Sequence, residues 1–233
     1  MQLYYDFHIH SCLSPCGSED MTPNNIVNMC RLKGLDAIAV CDHNCTANLK
    51  AVAEVAHNAG LIFIPGIEIN TAEEVHVLGF FKEAEDACLF GDAIYRSLPD
   101  IPNNEDFFGR QIIMDENDLE TGRADKLLIS ALPYSIEECV RMIRDYGGIA
   151  VPAHINKGVN SILNNLGFLP QNLNFTALEV LKDAPADGIE LKKYKILHSS
   201  DAHFLEDISE RENYLETDVK SVDKILKHIS ESV

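Results

Sequence analysis

Short apolar, strand-like runs alternate with helix-like segments along most of this 233-residue chain, and side chains able to bind metal recur where those runs end. The two patterns predict an α/β protein, either an α/β barrel or an open doubly wound sheet, with its chemistry at one end of the strands. The first strand is expected at Leu3–His8. A helix follows over Pro23–Lys33, with Thr22 as N-cap, Pro23 at its first position and Gly34 just past its end. Ala37–Cys41 (AIAVC) is a short buried strand, and Thr46–Asn58 is a helix closed by a turn at Gly60. Leu61–Ile67 and Val75–Phe81 are the next strands. Ser135 and Glu138 form a capping box that opens a helix over Ser135–Tyr146. Strands at Ile149–Ala153, Ala177–Leu181 and Lys195–His198 precede a final amphipathic helix at about Val219–Ile229. Strands alternating with helices in this way imply parallel βαβ units.

One stretch breaks the alternation. Between Glu83 and Glu120 eleven acidic residues stand against two basic ones, and 98–111 (LPDIPNNEDFFGRQ) reads as a long loop. We read an acidic inserted segment at about 83–130, lying over one face of the sheet as a lid would, within a single domain spanning 1–233.

Composition narrows the function. Hydrophobic residues make up 46% of the chain, enough for a sizeable core, and no apolar run reaches the length of a membrane span. The first residues lack the pattern of a secretory signal. Seven cysteines, an odd set without a CxxC pair, favour a reduced, cytoplasmic protein over a disulfide framework. A formal charge of −18 should repel long nucleic acids and anionic membranes. It leaves room for a small anionic substrate where bound divalent ions reverse the local potential.

The motifs supply those ions' ligands. His8 and His10 end the first strand in FHIH, where an i, i+2 pair shares one side. Asp42 and His43 follow the second strand (AVCDHN), and Glu68 ends the third (PGIEIN). His76 lies in the fourth, His154 follows the fifth (AVPAHINK), and Asp201 and His203 follow the last (LHSSDAH). A single histidine or aspartate at a strand end is usually a core, loop or capping residue. Nine such groups at one end of successive strands point instead to a shared site. Imidazoles mixed with carboxylates suit zinc, manganese or iron, and nine exceed what one tetrahedral ion can use, so two or three divalent ions are expected, one carboxylate bridging a pair. Cys41 reads as core and Cys45 as loop. His57, His198 and His228 fall outside the pattern and are excluded.

The ordered set HIH, DH, GIE, H, PAH and SDAH resembles the polymerase and histidinol phosphatase (PHP) superfamily of metal-dependent phosphoesterases, over roughly residues 3–81 and 135–230. The resemblance implies a distorted, TIM-like (β/α)7 barrel with up to three metals at the C-terminal ends of its strands. It implies one metal on His8, His10, Glu68 and Asp201, a second on Glu68, His76 and His154, and a third on His43 and His203. It gives Asp42 the role of orienting a neighbouring ligand. Many members carry a further His or Asp five or six residues after the HxH pair. Pro15 and Cys16 stand there in this chain, so Cys16 or Asp20 is the candidate replacement.

The resemblance therefore implies a hydrolase acting on phosphoric ester bonds through a metal-activated water. Lys157 and Arg110 are candidate substrate contacts, while Ser199 and Ser200 are read as structural. A small phosphomonoester, such as histidinol phosphate or a nucleotide, is the favoured substrate. A phosphodiesterase on short oligonucleotides or 3′,5′-nucleotides is the alternative. A catalytically silent, metal-binding regulatory domain is a reading from another class. Hydrolysis of a C–N bond is weaker, because no lysine follows a strand in a position to be carboxylated.

Overall fold

The computed structural model describes residues 1–233. In chain order the elements are β1 (Gln2–Ile9), α1 (Pro23–Leu32), β2 (Ala37–Val40), α2 (Leu49–Ala59), β3 (Ile62–Asn70) and β4 (His76–Phe80). Then come α3 (Ala84–Ser97), α4 (Glu105–Phe108), β5 (Ile112–Met114), β6 (Glu120–Arg123), α5 (Ile136–Asp145) and β7 (Ile149–Pro152). The chain ends with α6 (Ile162–Leu166), β8 (Ala177–Glu179), β9 (Lys195–Leu197), β10 (Tyr214–Glu216) and α7 (Val222–Ser230). No helix is long and apolar enough to cross a membrane.

The result is a mixed α/β fold around a curled half-barrel sheet of six strands, ordered β10-β1-β2-β3-β4-β7. Only β1-β2 and β2-β3 are parallel; β3-β4, β4-β7 and β1-β10 are antiparallel. This corrects the expectation of parallel units throughout. Five residues, 71–75, join β3 to β4. A parallel crossover needs a dozen or more, so so short a link can only turn the chain back. The ladders do not close a seven-stranded barrel. A separate parallel pair, β8-β9, stands across the open side. On one flank Ile155 N–H donates to the Glu179 carbonyl at 2.9 Å; on the other, Ala202 forms a parallel bridge with Ile9.

The interior holds Leu3, Tyr5 and Phe7 of β1, Leu78 and Phe80 of β4, and Val151 of β7, and Ile225 and Ile229 of α7 pack against it. Outside, α1 and α2 cover Ile9, Ile38 and Val40. The third layer is built by α3 and α5, whose Phe90, Ile94, Val140 and Ile143 pack against Ile67, Ile69 and Val77.

The acidic segment opens with a regular helix: α3 buries Ala87, Phe90, Gly91 and Ile94. Beyond it, the β5-β6 hairpin is fastened to the loop after β1. Ile112 N–H donates to the Cys12 carbonyl at 2.9 Å, and Asp118 accepts from Thr22 Oγ1 at 2.6 Å. Fully buried Asn48 joins the two: its Nδ2 donates to Ile112 O and to Ser11 Oγ, both at 3.0 Å, and its Oδ1 accepts from Met114 N–H at 2.8 Å. Asn48→Ala leaves Ile112 O and Met114 N–H without these partners. We expect a loss of about 1–3 kcal/mol in urea unfolding.

Candidate metal centre

The first strand carries its histidines into the site through an irregularity. Asp6 pairs with Ile38 and Ile9 with Val40, so β1 spends three steps where β2 spends two. The extra residue flips the alternation. Leu3, Tyr5 and Phe7 face the interior, Ile9 faces the outer helices, and the His8 and His10 rings continue the interior face at its mouth. On the opposite wall Glu68 lies across from Leu78, which makes His76 its diagonal neighbour on the same face. The His76 Nδ1 to Glu68 Oε1 distance is 2.9 Å.

Glu68 is wholly buried and ringed by five imidazoles. His154 Nε2 lies 3.2 Å away, His43 Nδ1 3.0 Å, and His8 and His10 Nε2 3.4 Å each. Burial alone would push its carboxyl up, but His76, His8 and His43 outweigh that and hold it well below the usual range. Asp201 is likewise held far below its ordinary value: burial opposes this, and His8 and His10 prevail.

Hydrogen bonds behind the rings fix which nitrogens face inward. His8 Nδ1 donates to Glu179, 3.0 and 3.1 Å from its two oxygens. His10 Nδ1 donates to Ser14 Oγ at 2.9 Å, and Ser14 in turn donates to Asp42 at 2.7 Å. Asp42 also accepts from Ser11 N–H at 2.7 Å and Ser11 Oγ at 2.6 Å. With both Nδ1 atoms committed as donors, His8 Nε2 and His10 Nε2 present lone pairs to each other at 3.1 Å, with Asp201 Oδ1 3.1 Å from the latter. Acceptors packed this closely repel unless a proton or a cation stands between them. His43 Nδ1, Glu68 Oε2 and His154 Nδ1 are also buried without a hydrogen-bond partner. The donor set and these orphaned atoms fit divalent metal ions.

Three groups of ligand atoms, each within 4.8 Å, overlap here: His8, His10, Glu68 and Asp201; His43, Glu68 and His76; His10, His43 and His203. The second differs from the expected set in holding His43, with His154 beside Glu68 as a further neighbour. Two of the site's residues have left-handed backbones, His154 at φ 28° and Asp201 at φ 55°. Such strain in non-glycine residues clusters at functional sites.

Other expected residues divide. Lys157 Nζ reaches Asp201 Oδ2 at 2.8 Å, at the edge of the cluster. Arg110 is held outside it by Glu19 and Glu120. Asp20 is exposed and belongs to none of the groups. Cys16, the other candidate replacement, also belongs to none of the groups; burial raises its thiol pKa, but His203 and His43 bring it down to about 6. Ser199 Oγ accepts from Phe7 N–H at 3.3 Å and Ser200 Oγ donates to His8 O at 3.2 Å, joining β9 to β1. His198 Nδ1 donates to the Val180 carbonyl at 2.6 Å, and His57 and His228 ride on α2 and α7. Sequence reasoning missed Glu179 and Ser14. Glu179 ends a strand like the other site residues (TALEV), a signal it shared with them.

Fold and cluster define an α/β protein with a histidine-rich candidate metal centre around a buried carboxylate. The model of the PHP domain matches residues 6–191, and this chain belongs to that family, one of metal-dependent phosphoesterases acting on phosphoric ester bonds. A 5′-3′ exoribonuclease of Haemophilus influenzae is 31% identical over 78 residues, 32% of this chain and 27% of that protein. The lesion-specific endonuclease PfuEndoQ of Pyrococcus furiosus superposes with a TM-score of 0.72 at 21% identity, over 99% of this chain and 56% of that one. A protein of Bifidobacterium adolescentis assigned as a metal-dependent phosphoesterase gives 0.62 at 19% identity, over 97% and 95%. The chain thus spans about a quarter of the exoribonuclease and just over half of the endonuclease.

Glu179→Gln keeps the side chain's size but removes the charge that orients the His8 ring. We expect metal affinity, measured by titration against a competing chelator, to fall about 10- to 100-fold with the fold intact.

Proposed function

We propose that this protein is a hydrolase that cleaves a small phosphorylated substrate, favouring a phosphomonoester such as histidinol phosphate or a nucleotide. The observation that carries this reading is the convergence of lone pairs from His8, His10, Glu68 and Asp201, with His43, His76, His154 and His203 around them. These residues would hold two or three divalent ions, zinc, manganese or iron. Bound there, such ions supply an activated water as nucleophile and neutralise charge on the phosphoryl oxygens. The chain's own groups do the rest. Glu179 and the Asp42–Ser14 pair fix the imidazole tautomers. Lys157, paired with Asp201 and about a third exposed, has further ammonium protons to offer a phosphoryl oxygen. Arg110, held by Glu19, is removed from that role.

A formal charge of −18 favours a small substrate over a long polyanion. A second reading, a phosphodiesterase on short oligonucleotides, is favoured by the similarity to the exoribonuclease over 78 residues. The fold-level likeness to a lesion-specific endonuclease keeps duplex DNA among the substrates to be tested.

Protein loaded separately with manganese, zinc or iron should be assayed on nucleoside monophosphates, dinucleotides and duplex DNA. We expect turnover on the monoesters, abolished by His8→Ala and by Asp201→Ala. Lys157→Ala should lower kcat/KM about 10- to 100-fold, the worth of one hydrogen bond from a charged donor. Turnover surviving both ligand substitutions refutes the site. Full metal loading with no turnover on any ester points to a silent binding domain, and preference for dinucleotides to the second reading.

A further inference from the structure

Asn70 closes β3 and is buried. It lies two residues after Glu68 in an unbroken stretch of the β3-β4 ladder, directly opposite His76. Its side chain therefore leaves the sheet on the face that carries both. Its backbone is engaged on both sides: N–H donates to Asn44 Oδ1 at 3.1 Å, and the carbonyl accepts from Leu132 N–H at 2.8 Å. Asn44 follows His43 with a left-handed backbone, φ 49°, and its N–H donates to Glu68 O at 2.8 Å. Its Nδ2 donates to Leu128 O at 2.7 Å and to Ser130 O at 3.0 Å, so both ends of that amide are in use. The Asn70 amide completes this clamp on 128–130 at one end only. Nδ2 donates to Ile129 O at 3.1 Å, which fixes the orientation of the amide, whereas Oδ1 is buried with no hydrogen-bond partner. With Nδ2 turned to Ile129, Oδ1 takes the other side of the amide, towards the face of Glu68 and His76.

We propose that Asn70 sets substrate specificity: its Oδ1 accepts from a hydroxyl on the carbon next to the phosphoester, so the substrate is a phosphomonoester of a vicinal diol, such as a polyol or ribose phosphate. The proposal rests on the phosphoesterase reading above and adds a requirement on the alcohol part of the substrate. An amide oxygen only accepts, so a phosphoryl dianion, itself an acceptor, is not its partner. A neutral hydroxyl suits a neutral amide, whereas an ammonium would be drawn to the site's carboxylates. Opposed residues in a ladder have Cβ atoms about 4.5–5.5 Å apart, so a donor that reaches Asn70 while phosphate sits beside His76 lies a few atoms from phosphorus. The neighbouring hydroxyl meets that condition. A buried acceptor left unmet is costly, so a substrate without this hydroxyl forfeits the difference.

The test compares matched substrates on metal-loaded full chain: adenosine 3′-monophosphate against its 2′-deoxy counterpart, and glycerol 3-phosphate against 1,3-propanediol monophosphate. Parent protein should favour the vicinal hydroxyl about 10- to 100-fold in kcat/KM. Calorimetric affinities for the matching non-hydrolysable methylenephosphonates give the same ratio without turnover. Asn70→Ala should bring the ratio close to one with the bound metal unchanged, since Asn70 belongs to none of the ligand groups. Asn70→Asp, which keeps the acceptor and loses the bond to Ile129, should retain the preference. Equal constants within each pair for the parent protein would overturn the proposal and leave the phosphoesterase reading standing. So would a preference that persists in Asn70→Ala, which is what loss of the clamp on 128–130 alone would give. Fully metal-loaded protein that neither binds nor turns over any phosphoester would overturn both readings.

Discussion

The structure is organised around one buried carboxylate. Glu68 has no solvent contact, and an isolated charge so placed is far too costly to keep. Five imidazoles from four separate parts of the chain surround it: His8 and His10 on and just past β1, His43 after β2, His76 on β4 and His154 after β7. Its position at the middle of the curled sheet is what lets so many strand ends reach it. The converse also holds. Removing one partner of a buried charge is more damaging than never having had the pair, so these strand ends are energetically bound to one another. The local backbone bears part of that cost, as the left-handed conformations of His154 and Asp201 record.

Much of this was legible because metal chemistry and strand periodicity leave separable marks. Polar residues at or shortly after the ends of apolar runs marked Glu68, His154 and Asp201, and the structure gathers these and all the other metal-candidate histidines. The sheet was less legible. Strand directions were assigned from the general alternation, although the seven residues, 68–74, between the expected third and fourth strands already excluded a crossover. The short edge strand β10 was invisible in YLE, where only Leu215 is buried. The irregularity in β1 could not have been read either, because a strict i, i+2 rule already places His8 and His10 together. What the rule concealed is that Phe7 shares their face, which takes an extra residue in the ladder.

Orientation of the ligands is the level least visible in sequence. Glu179 acts 171 positions from His8, and Ser14 acts through a hydroxyl that both accepts from His10 and donates to Asp42. Serine in a loop is ordinary, and only the contact gives it a role. The same holds for Lys157 and Arg110, equivalent as isolated cations in the sequence. One is drawn to the cluster by Asp201, and the other is drawn away from it by Glu19. Neighbouring carboxylates, more than the cations' own chemistry, decide which of the two lies at the cluster.

Charge at the site then explains how so acidic a protein could handle a phosphate. Glu68, Glu179, Asp42 and Asp201 put four carboxylates within one cluster, against the single lysine at its edge. On their own these groups repel an anion as the −18 surface does. Divalent ions reverse that sign locally, since each adds two positive charges where solvent cannot screen them. Anion binding in this pocket is therefore conditional on metal loading. The surface can stay acidic while the interior changes sign with its occupancy. The carboxylates that would make the empty pocket hostile to phosphate are the ones that gather the ions able to make it receptive.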